Sequence, residues 1–195
     1  MRWIAIVIAV LFLLSCNDTL ERSPRPHQYP QLNLPNDAKK IFSNTDCPFE
    51  MNIPEYATVE KKDFLFDDVP AGECWFDLTL QPLGATIHCS YYRLGREFTF
   101  DNLVNDAFTM VSKHNKKANY REEFAVKNDD DVSGIIFKIN GPVATPYQFF
   151  VTDSTSHFLR GALYFDQKID FDSVAPIVDH LEMEIDKMLL SMRWN

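Results

Sequence analysis

Apolar and polar residues alternate along many short segments of the chain, and a period of two is typical of β-strands. In CWFDLTL, residues 74–80, the even-numbered side chains are apolar, so they would share one face of a strand. QFFV and GALYF, within the later segments, are apolar on both faces, which predicts a sheet covered on both sides. The pattern predicts strands at 47–53, 56–61, 74–80, 85–92, 120–127, 132–139, 146–152 and 158–165.

A period of about 3.6 replaces this alternation in two segments, and it predicts two amphipathic helices. The first helix has Thr99 at its N-cap and runs on to His114. The second spans about 173–192, with Pro176 in its first turn, where a missing N–H costs little. Each helix therefore presents one apolar stripe to the core and one polar face to solvent.

The order of these elements predicts an α+β domain. Strands joined by hairpin-length loops form a mainly antiparallel sheet, and two helices can each cover one of its faces. The result is an α/β/α sandwich, which is similar to the PsbP-like topology. The sequence contains no internal repeat and no sign of a second domain.

The N-terminus carries an apolar run from Trp3 to Leu14, preceded by Arg2. A membrane-spanning helix needs about 20 apolar residues, so this run has instead the proportions of an export signal. The run ends in Leu13-Leu14-Ser15-Cys16, which looks like a bacterial lipobox. Residues 1–15 are therefore predicted to be a lipoprotein signal peptide, and Cys16 to carry the lipid. The alternative is an ordinary signal whose apolar core happens to end in cysteine.

The segment after Cys16 is polar and rich in proline, so residues 16–40 are predicted to form an extended tether. Near its end, Leu32 and Leu34 alternate with polar residues in a way that could join a sheet edge. Residues 41–195 are then one globular domain, since the remaining length and the 46% hydrophobic content suit a single packed core.

The charge of the chain limits its partners. With 19 basic and 28 acidic residues, the formal net charge is −9, so a phosphate backbone would be repelled and nucleic acid is not an expected partner. The sequence also lacks a polybasic cluster for anionic lipid, and the membrane contact is therefore expected from the lipid anchor alone.

Three cysteines remain after Cys16, and in an oxidising compartment one pair can form a disulfide. Cys74 and Cys89 would face each other if residues 74–80 and 84–90 form a hairpin, whereas Cys47 and Cys74 are the competing pair. No spacing is typical of a metal site or of a redox C-x-x-C motif, and no cofactor is expected. The residues alone leave the pairing open.

The segment TDSTSHFLR is the most interesting place for chemistry, because Asp153, Ser154 and His157 lie within one turn and Arg160 follows in a strand. A hydrolase needs a nucleophile, a base and a group that orients the base. The sequence has no nucleophile elbow and no glycine-rich oxyanion loop. Asp and Ser in turns usually bond their own backbone, and a buried arginine requires a partner, so the preferred interpretation is a structural turn with an ion pair.

The histidines outside this turn favour structural roles as well. His88 lies within a predicted strand, on the face opposite its apolar neighbours, and His114 closes a helix, where a cation suits the helix dipole. Neither has the H-x-x-x-H spacing of a metal site.

Several segments resemble the gliding motility lipoprotein GldD family. The match lies in TDSTSHFLRGALYF followed by DSVAP, in DCPF and CWF, and in the pattern Lys113, His114, Lys117, Ala118. The lipobox and the proline-rich segment ending LNLP fit the same family. The resemblance spans nearly the whole chain after Cys16.

The resemblance implies a non-enzymatic accessory lipoprotein of the gliding machinery and of the type IX secretion linked to it. It also implies a membrane protein of the GldE type as partner, a disulfide between Cys47 and Cys74, and a buried free thiol at Cys89. The expected location is the cell envelope, lipid-anchored and facing the periplasm, with no small-molecule substrate. The alternative from another class is a periplasmic hydrolase or ligand-binding domain that uses Asp153, Ser154, His157 and Arg160.

Overall fold

The computed structural model describes residues 34–62, 74–114, 118–166 and 171–195, and of residues 171–173 the backbone alone. The predicted signal peptide, Cys16 and the tether as far as residue 33 lie outside the described residues. The described residues belong to one compact unit, residues 31–195. Within them, no helix is long and apolar enough to span a bilayer.

Ten strands make two antiparallel sheets in the described parts of the chain. They are β1 (Lys39–Asn44), β2 (Cys47–Pro54), β3 (Thr58–Lys61), β4 (Trp75–Leu80), β5 (Ala85–Arg93), β6 (Tyr120–Lys127), β7 (Ser133–Asn140), β8 (Tyr147–Thr152), β9 (His157–Phe165) and β10 (Arg193–Trp194). The large sheet has the order β3-β4-β5-β9-β8-β7-β6, and the small sheet has the order β1-β2-β10. Only the β5–β9 pair joins strands that are not consecutive in the large sheet, and α1 lies between them in the chain.

Two helices complete the domain, α1 (Phe100–His114) and α2 (Phe171–Leu190). The hydroxyl of Thr99 accepts a hydrogen bond from the backbone N–H of Asn102 at 3.4 Å, as expected of an N-cap. The helices cover opposite faces of the large sheet, so the predicted α+β class and the arrangement of one helix per face are confirmed.

One surface of the large sheet carries Ile87, Phe149 and Leu163, and we call it the α2 face because α2 and the small sheet cover it. Leu181 and Ile185 of α2 are fully buried against it. The sheet needs a glycine at its centre, since a Cβ at Gly161 would lie 2.2 Å from the ring of Phe149. The largest apolar core of the domain therefore lies between this face and its two covers.

The opposite surface is the α1 face, where Phe150 and Phe158 stack with ring centroids 5.2 Å apart. Helix α1 packs on it through Leu103, Ala107 and Val111. The helix is 15 residues long and reaches only part of the sheet, so strands β4 and β5 keep exposed or half-buried polar side chains on this side. This unequal cover positions the polar groups described below.

A disulfide joins Cys47 at the start of β2 to Cys74 just before β4, with Cα atoms 5.1 Å apart. It ties the small sheet to the large one, and it is the pairing that the family resemblance implies. Cys89 is buried and free, and burial raises the pKa of its thiol. The register explains why Cys89 is not the partner of Cys74, because Cys89 lies opposite Phe76 in the β4–β5 hairpin.

The structure differs from the sequence predictions at the two ends of the domain. Strand β1 and the two-residue strand β10 were not predicted, and both belong to the small sheet. Leu34 lies outside any strand, so it does not join a sheet edge, and Leu32 is outside the described residues. The second helix runs from residue 171 to residue 190 and not from 173 to 192, since the chain turns into β10 after Leu190.

Candidate functional site

The turn between β8 and β9 is built around the carboxylate of Asp153. Its Oδ1 accepts hydrogen bonds from the backbone N–H groups of Thr155, Ser156 and His157 at 2.8–2.9 Å, and its Oδ2 accepts one from the Thr155 hydroxyl at 3.0 Å. Partial burial acts to raise the pKa of Asp153, but the three backbone hydrogen bonds outweigh it and lower the pKa to about 2. The carboxylate is thus a charged cap of the turn.

Ser154 adopts a left-handed backbone conformation in the same turn, with φ at 65°. Its backbone N–H donates to the Thr152 hydroxyl at 2.8 Å, and that hydroxyl donates to the carbonyl oxygen of His157 at 2.6 Å. Thr152 is 3% exposed, so it closes the turn from inside. The side chain of Ser154 is exposed.

His157 belongs to an aromatic cluster at the edge of the α2 face. Its Nδ1 and the hydroxyl of Tyr91 are joined by a hydrogen bond of 2.7 Å, and its ring stacks on Trp194 at 5.0 Å with an interplanar angle of 11°. Burial lowers the pKa of His157, Asp153 acts against that shift, and Arg93 adds to it. Burial therefore favours the neutral form of the ring, and its two contacts fix it between strands β5 and β10.

A shallow depression of about 610 Å³ opens beside this cluster. Its lining includes Asp153, His157 and Trp194, together with Asp130 and Asp131 from the β6–β7 turn. Three carboxylates and one lysine, Lys127, lie on this lining, so it is acidic overall. Arg160 is not among the lining residues.

Arg160 lies on the other side of β9. Residues 157 and 160 have opposite parity in a strand, so His157 belongs to the α2 face and Arg160 to the α1 face. The guanidinium Nη2 donates to Oε1 of Gln148 at 3.1 Å, and no carboxylate of the described residues lies within 4.0 Å of it. Burial lowers the pKa of Arg160, although Tyr164, Tyr92 and Asp106 act against this shift.

The predicted ion pair of Arg160 is therefore replaced by an amide partner. Gln148 is only 1% exposed, and its Nε2 has no hydrogen-bond partner among the described residues. A half-satisfied polar pair in a buried position costs stability. This pair neither contacts Asp153 nor completes a site with it.

The arrangement does not assemble a Ser-His-Asp relay. His157 bonds Tyr91, the carboxylate of Asp153 is filled by backbone donors, and within the described residues no hydrogen bond links Ser154 to His157. A nucleophile requires a base within hydrogen-bond reach. The four predicted residues thus divide into a structural turn with an aromatic neighbour and a separate, half-buried arginine.

A second polar group, of which the sequence pointed only to His88, lies on strands β4 and β5 and on the residue that follows β3. The Asp77 carboxylate, 5% exposed, contacts Nδ1 of His88 and Nζ of Lys62, both at 2.7 Å. Its hydrogen bond to Asp77 raises the pKa of Lys62, against a smaller effect of burial. Asp77 and His88 are directly opposite in the hairpin, so the register of the two predicted strands could have found this pair.

His114 ends α1 and lies near Tyr164, with ring centroids 6.5 Å apart. Burial lowers the pKa of His114, and the neighbouring charges of Arg160 and Lys113 act in the same direction. Across the residues that the structure describes, no group of three His, Cys, Asp or Glu side chains is arranged to hold a metal ion.

Comparison with known proteins gives a family match and an alignment with a solved structure. Residues 19–194 match the model of a family described as "Gliding motility lipoprotein GldD". The solution structure of cyanobacterial PsbP (CyanoP) from Synechocystis sp. PCC 6803 aligns with a TM-score of 0.42 and 9% identity, over 84% of this chain and 96% of that chain. No curated protein matches the chain.

Proposed function

Because the chain belongs to the gliding motility lipoprotein GldD family, we propose that it is an envelope-anchored accessory protein of gliding motility and of the linked type IX secretion, acting through protein contacts and not through catalysis. The family match over residues 19–194 is the observation that carries this proposal. It covers every described residue except Asn195.

The geometry of the turn supports a non-catalytic role. The carboxylate of Asp153 is occupied by its own turn, and His157 is held by Tyr91 and Trp194. Asp153 is poorly placed to take a proton from a substrate, because its Oδ1 already accepts three backbone hydrogen bonds, and among the described residues no hydrogen bond connects His157 to Ser154 as a catalytic relay requires. In this proposal the domain is a scaffold whose surface meets other proteins of the envelope.

The anchor in this proposal is a lipid on Cys16, with the domain facing the periplasm. The partner is a membrane protein of the gliding machinery, of the GldE type. Several acyl chains on one cysteine hold a protein at a bilayer far more firmly than a single chain, which alone is marginal. Anchoring raises the effective concentration of the domain near a membrane partner.

A Cys16→Ala variant tests the anchored role, with Cys89→Ala as the matched control because Cys89 is a buried free thiol. We expect Cys16→Ala to leave the membrane fraction and to abolish colony spreading and protein secretion, while Cys89→Ala retains all three. Normal spreading by a Cys16→Ala protein found only in the soluble fraction would contradict the proposal.

The non-catalytic role has its own test in His157→Gln, which keeps a polar side chain beside Tyr91 but cannot act as a base. We expect cells with this variant to spread and secrete like the wild type, provided that the protein accumulates to the normal level on an immunoblot. Loss of spreading with normal accumulation would favour a chemical role for His157.

A further inference from the structure

Strand β6 is an edge of the large sheet, and among the described strands it is paired only with β7. The carbonyl oxygen of Val132 accepts a hydrogen bond from the backbone N–H of Asn128. The backbone N–H of Ile139 donates one to the carbonyl oxygen of Pro146. In an antiparallel ladder the direction of the backbone groups alternates from residue to residue. Counting along β6 from Asn128, the N–H and C=O groups of residues 121, 123, 125 and 127 must point away from β7.

These outward groups have no hydrogen-bond partner among the described residues. A row of unpaired backbone donors and acceptors is a template for another strand. At eight residues, β6 is twice as long as β3, the four-residue strand at the opposite edge. Strand β6 therefore offers a partner strand more unpaired backbone groups than β3 does.

Two large aromatic side chains on β6 are exposed to solvent. Tyr120 is 55% exposed and Phe124 is 44% exposed, and both belong to the α2 side of the strand. On the other side Arg121 and Glu123 neutralise each other through an ion pair of 2.7 Å. Edge strands are often protected by charged side chains, and β6 carries four, but two are acidic and two are basic, so they leave no net charge along the edge.

A groove of about 520 Å³ runs beside β6, between the β6–β7 hairpin and the first half of α2. Its charged lining consists of Glu122, Asp179, Glu182 and Lys138, and Lys138 already pairs with Glu182 at 2.8 Å. Burial raises the pKa of Glu182, against the effect of Lys138. The groove is acidic overall, since two of its carboxylates are left without a basic partner among the described residues.

We propose that the free edge of β6 and the adjacent acidic groove bind an extended, basic segment of a partner protein by strand addition. Backbone hydrogen bonds to residues 121–127 supply the affinity, and alternate Lys or Arg side chains reach the groove carboxylates. A second copy of this chain is disfavoured there, because two acidic grooves would repel each other. This inference deepens the proposed function and rests on it.

A peptide with this chemistry tests the surface on full-length protein in detergent. The probe is an acetylated and amidated peptide of four Lys-Val repeats, and its counterpart has Glu in place of every Lys. We expect the basic peptide to bind at least about tenfold more tightly, measured by fluorescence anisotropy, with an affinity that falls as salt rises. Equal binding of the two peptides, or binding of neither, would overturn the proposal.

Matched proline variants locate the contact. Ala125→Pro removes an outward N–H from β6 without removing a ladder bond, and Val59→Pro does the same on the β3 edge. We expect Ala125→Pro to weaken the basic peptide about tenfold or more and Val59→Pro to leave it unchanged. Because proline could unfold a strand, Glu122→Lys provides a second variant, which keeps the backbone and should weaken binding severalfold. Equal loss with both prolines, or full binding by Glu122→Lys, would overturn the assignment.

Further experiments distinguish a second copy of this chain from a basic partner, and the β6 assignment from the anchored function. A dimer in sedimentation that Ala125→Pro abolishes would identify a second copy as the occupant and overturn the basic partner. In cells we expect Ala125→Pro, but not Val59→Pro, to abolish spreading. If Cys16→Ala abolishes spreading and Ala125→Pro does not, the β6 assignment fails while the anchored function stands. If Cys16→Ala spreads normally, the proposed function itself fails.

Discussion

The two faces of the large sheet are built from the same strands, yet they are covered in different ways. The α2 face lies under a 20-residue helix and a second sheet, and a disulfide fastens that sheet in place. The α1 face lies under one shorter helix, and Asp77, Gln148 and Thr152 are buried polar residues on it. The difference indicates that the α2 face carries most of the stability, whereas the α1 face tolerates polar groups that are only partly paired.

The largest expected loss of stability comes from Phe49, in the small sheet that covers the α2 face. Its ring is fully buried and contacts the rings of Phe42, Tyr91 and Trp194. Phe49→Ala removes these contacts and leaves a cavity, so we expect the free energy of unfolding to fall by about 3–5 kcal/mol in urea denaturation.

Ile41→Ala is the matched control for Phe49→Ala, because Ile41 belongs to the same small sheet and is 68% exposed. We expect it to change the free energy of unfolding by less than about 0.5 kcal/mol. Similar losses from both substitutions would mean that the small sheet does not seal the core.

The disulfide should rank next. Cys47 and Cys74 are 27 residues apart in sequence, and closing a loop of that length restricts the unfolded chain. Replacing both by alanine should lower the free energy of unfolding by about 3 kcal/mol. Denaturation of the double variant beside Cys89→Ala measures this, since the latter loses only a buried thiol. An undiminished midpoint in the double variant would show that packing alone holds the two sheets together.

On the α1 face, the pair of Arg160 and Gln148 tests whether partly paired polar groups add to stability. Arg160→Met removes the donor to Oε1 of Gln148 and leaves that amide wholly unpaired, so we expect a loss of about 2 kcal/mol. Arg160→Met with Gln148→Leu removes both polar groups and should return close to the stability of the wild type. Urea denaturation of the wild type, the two single variants and the double variant gives the coupling free energy between Arg160 and Gln148. If the double variant has a lower free energy of unfolding than Arg160→Met, the polar pair is a net stabiliser.

Much of the large sheet follows from local pattern. All of its strands and both helices lie at or within a few residues of their predicted segments, because alternation and the 3.6 period report directly which face is buried. The register of the β4–β5 hairpin required more. Gln81–Leu83 form a 3-10 turn and Gly84 follows with φ at 57°, so the connection sets Cys89 opposite Phe76.

The small sheet could not be predicted in this way. In β1 only Phe42 is buried, so the strand shows no alternation, and β10 is too short to show a period. Strand β1 is fixed by its hairpin with β2, which follows it directly, whereas β10 is fixed by pairing with β2 from far away in sequence.

The candidate site divides along the same line. The backbone bonds of Asp153 are local and could be expected from an Asp-Ser turn, whereas the stacking of His157 on Trp194 joins two distant parts of the chain. The separation of His157 from Arg160 could have been found from parity alone, since residues three apart in a strand face opposite sides.

The smallest expected effect concerns Asp153, whose turn borders both faces. Its pKa is lowered to about 2, so the folded protein binds the proton less tightly than the unfolded chain does. The stabilisation by the charged carboxylate is therefore fully present above about pH 4, the ordinary pKa of Asp, and it is lost as the pH falls through about 2. Asp153→Asn should lower the free energy of unfolding by about 1 kcal/mol at pH 7, because the amide is a weaker acceptor for the three backbone N–H groups.

The difference between wild type and Asp153→Asn should shrink steadily below pH 4, since the unfolded wild-type chain then binds a proton at Asp153 that the folded protein, with its lower pKa, does not yet bind. Urea denaturation at pH 7, 4 and 3 measures it, with Asp129→Asn as a control on an exposed carboxylate of the neighbouring loop. A constant difference at all three pH values would mean that the side chain acts through shape and not through charge. In that case the turn would hold His157 in place without its negative charge, and the acidity of the depression beside it would have no part in the stability of the fold.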